Sequence, residues 1–204
     1  MQSKILKFRF GDTIVIASHN QGKIKEFSEL LSQYNIRILT SSDLNILDVE
    51  ETGKTFKENS IIKVNSVESK YPVIADDSGL CITSLDNRPG IYSSRFSKTC
   101  GGWANAMYKL YKELLKKNTK DFSAKFVCYL SIKFSSSEIF SYSGEIEGNL
   151  VWPPKGENGF GYDPFFKPTG SDQTFAQMNH SNKILVDHRS VALKKLIKLH
   201  LNYN

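Results

Sequence analysis

The stretch Tyr71-Pro72-Val73-Ile74-Ala75-Asp76-Asp77-Ser78-Gly79-Leu80 constrains this chain most. An apolar run after a proline has the pattern of a buried strand. It ends abruptly in two carboxylates, a hydroxyl and a glycine, which reads as a turn at the strand's carboxyl end. In open α/β sheets that edge is where ligands bind. Two adjacent like charges in a tight turn repel unless a cation or a proton intervenes. Asp76-Asp77 is therefore a candidate divalent-metal or general-base site. The competing reading is a solvated turn, since Asp, Ser and Gly are ordinary turn formers.

The rest of the chain repeats this grammar. Thr13-Ile14-Val15-Ile16-Ala17 is a strand pattern, followed at once by Ser18-His19-Asn20-Gln21-Gly22-Lys23. Ile24, Phe27, Leu30 and Leu31 then recur at helical spacing. A second strand is expected at Ile36 to Leu39, a helix at Phe56 to Val67 and a short strand at Leu80 to Leu85. Arg88 to Arg95 reads as loop. Trp103, Met107, Leu110, Tyr111 and Leu114 make one apolar helix face. Alternation from Phe126 to Phe134, then Ser135-Ser136-Ser137, then Ile139 to Val151 predicts a long antiparallel hairpin. Val151 to Ser181, rich in Gly, Pro and aromatics, reads as ordered loop, and His188 to Leu199 as a closing helix. The sum is one α/β unit with a mixed sheet, residues 12–204, preceded by a short N-terminal extension, residues 1–11.

The chain has 204 residues, enough for one substantial core or two small lobes around a cleft. No stretch approaches the roughly 20 apolar residues of a membrane span, and the N-terminus lacks the apolar core of a secretory signal. Three cysteines, Cys81, Cys100 and Cys128, without metal-type spacing, fit free thiols in a reducing cytoplasm and disfavour zinc. The formal net charge of +6 suits an anionic ligand, a nucleotide or nucleic acid. The lysines are dispersed rather than striped, which argues against nucleic acid as the partner.

Four further constellations could carry chemistry. Ser18 to Lys23 opens a helix whose amides favour phosphate, with Lys23 in reach of a phosphate oxygen; an Asn N-cap turn explains the same residues. Glu50-Glu51-Thr52-Gly53 is a second acidic turn, followed by Glu58, Asn59 and Lys63 at spacings that share a helix face. Glu51 and Asp77 could share a cation, because Mg²⁺ prefers carboxylates plus substrate phosphates. Gly159-Phe160-Gly161-Tyr162-Asp163-Pro164 alternates glycine with aromatics that could stack on a base. Asp187-His188-Arg189 begins the last helix, with Lys183 just upstream; Asp187 suits an N-cap.

Taken together and in order, these motifs resemble the inosine/xanthosine triphosphate pyrophosphatase family, which removes deaminated purine nucleotides from the pool. The matching pieces are Ser18-x-Asn20-x-x-Lys23, Glu50-Glu51-Thr52-Gly53, Glu58-Asn59, Ala75-Asp76-Asp77-Ser78-Gly79-Leu80, Pro89-Gly90-Ile91-Tyr92-Ser93-x-Arg95, Gly159-Phe160-Gly161-Tyr162-Asp163-Pro164 and His188-Arg189. The resemblance implies an elongated mixed β-sheet flanked by helices, with two lobes around a central nucleotide-binding cleft. It also implies a cytoplasmic homodimer that depends on Mg²⁺, binds a small-molecule nucleotide and needs neither nucleic acid nor membrane.

The implied reaction takes ITP, dITP or XTP to the monophosphate and pyrophosphate. By analogy Asp77 activates water and binds metal. Glu51 is the second acidic ligand and Glu50 its competitor. Ser18, His19, Asn20, Gln21, Gly22, Lys23, Lys63 and Ser78 hold phosphates. Phe160, Gly161, Tyr162, Asp163, Lys183, His188 and Arg189 form the base pocket. Two positions depart from the family pattern: Asp187 stands where Ser is usual before His-Arg, and Ser94 where Ala is commoner. The alternative is a related Maf-type enzyme acting on dTTP or UTP.

Overall fold

A computed structural model describes residues 7–135 and 137–202. The chain divides into two compact units. The first takes the described residues up to Asp77, those of the segment Tyr129–Gly144, and those from Arg189 onward; the second takes Ser78–Cys128 and Glu145–His188.

In the first unit, strand β2 (Thr13–Ile16) leads into helix α1 (Gln21–Ser32) and strand β3 (Arg37–Thr40). Asn20 caps α1 by accepting the Lys23 backbone N–H at 3.2 Å, satisfying a donor that the helix start leaves orphaned. Buried Phe27, Leu30 and Leu31 hold the helix down. Helix α2 (Phe56–Asn65) is capped in the same way by Thr55, whose hydroxyl accepts from Glu58 N at 3.1 Å. Strand β4 (Val73–Ile82) pairs in parallel with β2, Val15 opposite Val73 and Ile16 opposite Ile74. Val15, Ala17, Val64, Val67, Val73 and Ala75 form this unit's core.

In the second unit, strand β5 (Arg88–Pro89) runs antiparallel to the end of β4, and helices α3 (Ser93–Thr99) and α4 (Trp103–Lys116) follow. Strands β6 (Ser123–Lys133) and β7 (Ile139–Leu150), whose Tyr129–Gly144 part belongs to the first unit, are neighbours in the sheet, joined where Phe134 N–H donates to Glu138 O at 3.0 Å. Strand β8 (Phe166–Pro168) pairs antiparallel with β7, Leu150 opposite Phe166. Leu80, Ile82, Leu110, Leu114, Phe126, Phe165, Phe166 and Phe175 are the centre of a core dominated by aromatic rings. The mixed sheet has seven strands in the order β3-β2-β4-β6-β7-β8, with β5 on β4. Helices α5 (His180–Val186) and α6 (His188–His200) close the chain.

Three expectations need correction. Asp76-Asp77-Ser78-Gly79 is no turn: β4 runs unbroken through it and absorbs the short strand expected at Leu80 to Leu85. Successive side chains of a strand point to opposite faces, so the two carboxylates need not face each other. Arg88 to Arg95 is not simply loop, since β5, a 3₁₀ turn at Gly90–Tyr92 and the start of α3 occupy it. Within the expected loop Val151 to Ser181 lie a 3₁₀ turn at Asp163–Phe165, strand β8 and the first residues of α5.

The proposed N-terminal extension lies partly outside the described residues, at residues 1–6, as does Ser136 of the serine spacer. The described part holds strand β1 (Phe8–Arg9), which pairs in parallel with β9 (Leu201–Asn202) and buries Phe8. Among the described residues no helix is long and apolar enough to cross a membrane. Cys81, Cys100 and Cys128 are free thiols.

Candidate active site

Asp77 lies near the middle of β4, buried, and α2 supplies its partners. Asn59 Nδ2 donates to Asp77 Oδ2 at 2.9 Å. Lys63 Nζ stands 3.7 Å from Asp77 Oδ1 and also pairs with Glu51 Oε1. Asn59 and Lys63 sit four positions apart on the helix, which puts them on one face.

Asn59 does a second job: its Oδ1 accepts the Gly53 backbone N–H at 2.8 Å, tying the acidic turn to the helix that holds Asp77. A Cβ on Gly53 would lie 2.6 Å from that same oxygen, so the turn requires glycine there. Glu51 thus belongs to the Asp77 group, whereas Glu50 is exposed.

Asp76 has a different set of partners. Lys23 Nζ pairs with its Oδ2 at 2.9 Å, and Arg189 Nε donates to the same oxygen at 3.2 Å. Arg189 Nη1 reaches Glu26 Oε2 at 2.7 Å. Glu26 is buried on α1, three residues after Lys23. Lys63 also donates to the Asp76 backbone carbonyl, at 3.1 Å.

The electrostatics separate the two carboxyls. Burial pushes Asp77 above the ordinary carboxylate value; Lys63, Lys23 and the Asn59 hydrogen bond pull it back, while Glu51 adds to the rise. Burial would raise Asp76 too, but Lys23, Arg189 and Lys63 outweigh it and hold that carboxyl well below the usual range. Burial lowers the Lys23 ammonium despite Asp76. Burial works against the charge on Lys63 as well, yet Asp77, Glu51 and Asp76 together raise it. The result is one carboxyl held well below the usual range and, beside it, one whose proton affinity is raised.

The turn before α1 presents the backbone amides of a helix start, where an anion is favoured. Ser18 Oγ accepts from Asn20 N at 3.2 Å, and Gln21 and Gly22 are the first helical residues of a twelve-residue helix. His19 Nε2 lies 3.9 Å from Asp48 Oδ1. Ser78 follows Asp77 along β4 and is partly exposed.

The second unit gathers another group. Asp163 Oδ2 accepts from Lys183 Nζ at 2.6 Å and from Phe160 N at 2.9 Å, both partners converging on one oxygen. A Cβ on Gly159 would lie 2.2 Å from that oxygen, and Gly159 has φ +73°, so only glycine suits this bend. The Lys183 ammonium sits 4.8 Å from the centre of the Phe160 ring, a ring left partly exposed. His188 stacks on Phe126 with centroids 4.8 Å apart and planes 10° from parallel.

Not every expected base-pocket residue joins this group. Tyr162 is buried in the aromatic core, edge-on to Trp103 at 5.0 Å, with its hydroxyl donating to Ser93 O. Gly161 has φ +68° and lies against Trp103. Arg189 belongs with Asp76 and Glu26.

Asn59 and Glu26 are the residues that sequence reasoning left out of the site; Asp76 was singled out with Asp77 as a metal or base candidate, whereas the structure pairs it with Lys23 and Arg189. Asn59 stood inside a quoted motif, next to Glu58, but nothing local showed it bridging a turn and a strand. Glu26 gave a faint signal: an acid beside Phe27 on the helix face that Leu30 continues.

Among the described residues, no group of three or more His, Cys, Asp or Glu forms an all-protein metal cage. Asp77 and Glu51 nevertheless both lie against the Lys63 ammonium, so one point already attracts two carboxylates. That donor set fits Mg²⁺, which takes one or two carboxylates and completes its shell with water and substrate phosphates.

Comparison with known proteins gives one consistent result. A profile of the Ham1 family matches residues 14–199. The dITP/XTP pyrophosphatase of Agrobacterium fabrum is 39% identical over 202 residues, covering 91% of this chain and 94% of that protein. The enzyme of the same name from Gluconobacter oxydans is 41% identical over 185 residues, covering 90% and 88%. Among solved structures, a HAM1 protein from Coxiella burnetii superposes with a TM-score of 0.81 at 34% identity, covering 91% of this chain and 96% of that one. The Staphylococcus aureus Ham1 protein gives 0.78 at 38% identity, covering 90% and 95%.

Proposed function

The chain belongs to the Ham1 family, and we propose that this nucleoside triphosphate pyrophosphatase hydrolyses the deaminated purine nucleotides dITP, ITP and XTP, with Mg²⁺, to the monophosphate and pyrophosphate. The observation that carries the reading is Asp77: a buried carboxyl with raised proton affinity, oriented by Asn59 and faced by Lys63 and Glu51. A general base works best when its pKa approaches the operating pH.

In this reading Asp77 takes a proton from the attacking water. The water oxygen bonds to the α-phosphorus, the bond from that phosphorus to the bridging oxygen breaks, and pyrophosphate leaves. The Asn59 amide holds the carboxylate by one oxygen. Lys63, Lys23 and the amides at the start of α1 meet phosphate charge. Asp77 and Glu51 would hold Mg²⁺, which when bound supplies charge neutralisation on the phosphates.

The base end falls to the Asp163 group. The Phe160 ring offers a stacking face, and the Lys183 ammonium, held by Asp163, lies over that ring as a donor group. A donor aimed at a 6-oxo group rejects adenine, whose amino group would leave it unpaired. Tyr162 anchors the Phe160 loop from inside the core, and Arg189 holds Asp76 in place.

We further propose a homodimer in the cytoplasm. The dimer rests on the family resemblance, and the compartment on the three free thiols. A Maf-type pyrimidine enzyme draws no support from the comparisons.

The test is pyrophosphate release with Mg²⁺ across dITP, XTP, dGTP, dATP, dTTP and UTP. Preference for dITP and XTP with monophosphate as co-product is expected. Activity confined to dTTP or UTP would overturn the reading.

A further inference from the structure

Lys63 leaves helix α2 in its last turn and ends among three oxygens. Its ammonium pairs with Glu51 Oε1, stands 3.7 Å from Asp77 Oδ1 and donates to the Asp76 backbone carbonyl at 3.1 Å. Glu51 and Asp77 are the two carboxylates that the reading above gives to Mg²⁺. The lysine therefore competes for the oxygens that a divalent cation would use.

Two cations do not share such a point easily. Mg²⁺ draws its oxygens in to about 2.0–2.1 Å and repels an ammonium held by the same carboxylates. Lys23 already brings another ammonium to the Asp76 carbonyl, at 3.4 Å. Of the groups gathered here, Lys63 is the one suited to move. Its charge rides on a long flexible stem, and its side chain is 17% exposed, so solvent is within reach. The carboxylates stay gathered without it. Asn59 holds Asp77 through the other oxygen, Oδ2, at 2.9 Å, and holds the acidic turn through the Gly53 N–H at 2.8 Å.

Resting on the reading that Asp77 and Glu51 hold Mg²⁺, we propose that Lys63 is a built-in competitor of the metal, which couples metal entry to nucleotide entry. While the ammonium bridges the two carboxylates, metal binding is weak. An arriving triphosphate offers the ammonium charged oxygens of its own. Lys63 turns to them and releases the carboxylates to the metal. Metal and nucleotide then strengthen each other's binding by the same factor. A lysine that merely held the site together would act in the opposite sense: its removal would loosen Glu51 and Asp77 and weaken metal binding.

The experiment is a calorimetric titration of nucleotide-free protein with Mg²⁺, in the wild type and in Lys63→Met, which keeps an apolar stem and removes the charge. Lys63→Met should bind Mg²⁺ at least about fivefold more tightly, the lower end of ordinary coupling between sites. Mg²⁺ should also raise the melting temperature of the variant more than that of the wild type. Adding α,β-methylene ITP, which lacks the cleavable bridge, should tighten Mg²⁺ binding by a larger factor in the wild type than in Lys63→Met; equal factors would refute the coupling to nucleotide. Equal or weaker binding of Mg²⁺ alone by Lys63→Met, with dITP turnover intact in the wild type, would overturn this inference alone. Tighter binding by the variant of a chain that turns over no nucleotide would overturn the proposed function and leave the competition between lysine and metal standing. Should Lys63→Met fail to fold, the wild type decides. An amine-acylating reagent, read at Lys63 by mass spectrometry, should modify that lysine faster with saturating Mg²⁺ than without, and an unchanged or slower rate refutes the competition.

Discussion

Asp76 and Asp77 are consecutive residues of one strand whose carboxylates have different principal partners: Lys23 and Arg189 for Asp76, Asn59 and Lys63 for Asp77. Strand geometry makes this division possible, because neighbouring side chains leave on opposite faces. The cations around Asp76 hold its carboxyl low, whereas burial leaves the Asp77 carboxyl raised.

Asp77→Asn should lower kcat by about 10²–10⁴, the span that general-base catalysis contributes, while the protein stays folded. Pyrophosphate release and circular dichroism, read together, check this. Retained turnover would remove Asp77 from the role of base.

The pH course of turnover should show the raised Asp77 carboxyl. The base must be ionised to act, so activity rises with pH through a value above the ordinary carboxylate range. Lys63 lowers that value, and Lys63→Met should therefore move the acid limb further up. A limb that stays put in Lys63→Met would break the link between the two residues.

Asp76→Asn should destabilise the protein by about 3–5 kcal/mol at neutral pH, because it weakens the pairing of two buried cations. The sign of the pH dependence follows from the depressed carboxyl. Its stabilisation is fully present above the ordinary carboxylate value and is lost as pH falls through the folded value. Urea unfolding at neutral and acidic pH should show the gap between wild type and variant narrowing only in acid.

Gly79→Ala should cost about 1–3 kcal/mol or more, as overpacking does. The added Cβ would meet Gly90 O at 2.2 Å and Ser93 Oγ at 2.6 Å, and the first of these is backbone that has nowhere to swing. Ser93 is itself engaged, accepting from Leu80 N at 3.0 Å. A thermal melt equal to wild type would show that the Gly90–Ser93 segment can yield.

Chelating divalent metal should abolish turnover and leave the melting temperature nearly unchanged, since two carboxylates make a site that substrate completes. A large loss of stability on chelation would point instead to a structural metal.

Local pattern carried far. The strand from Thr13 to Ile16, the Asn20 cap and the α1 helix are each legible from a few neighbouring residues, because periodicity and capping are short-range properties. The sequence also singled out Lys23, Lys63 and Asp77, which the structure gathers around β4, and Phe160 and Lys183, which it places in contact. The failure at Asp76 to Gly79 was also local: the residues are turn formers by propensity, yet cations from other elements make the extended strand the better solution.

By itself, then, the sequence determined which segments are strands and helices over most of the chain and which residue types could do phosphate chemistry. Only the tertiary structure decided how charges are shared. Arg189 finds Asp76 across 113 positions and Glu26 across 163, and Asn59 reaches Asp77 across 18. No local window contains such pairs. Burial then amplifies each one, because a charge removed from water takes its proton affinity from the few groups that face it.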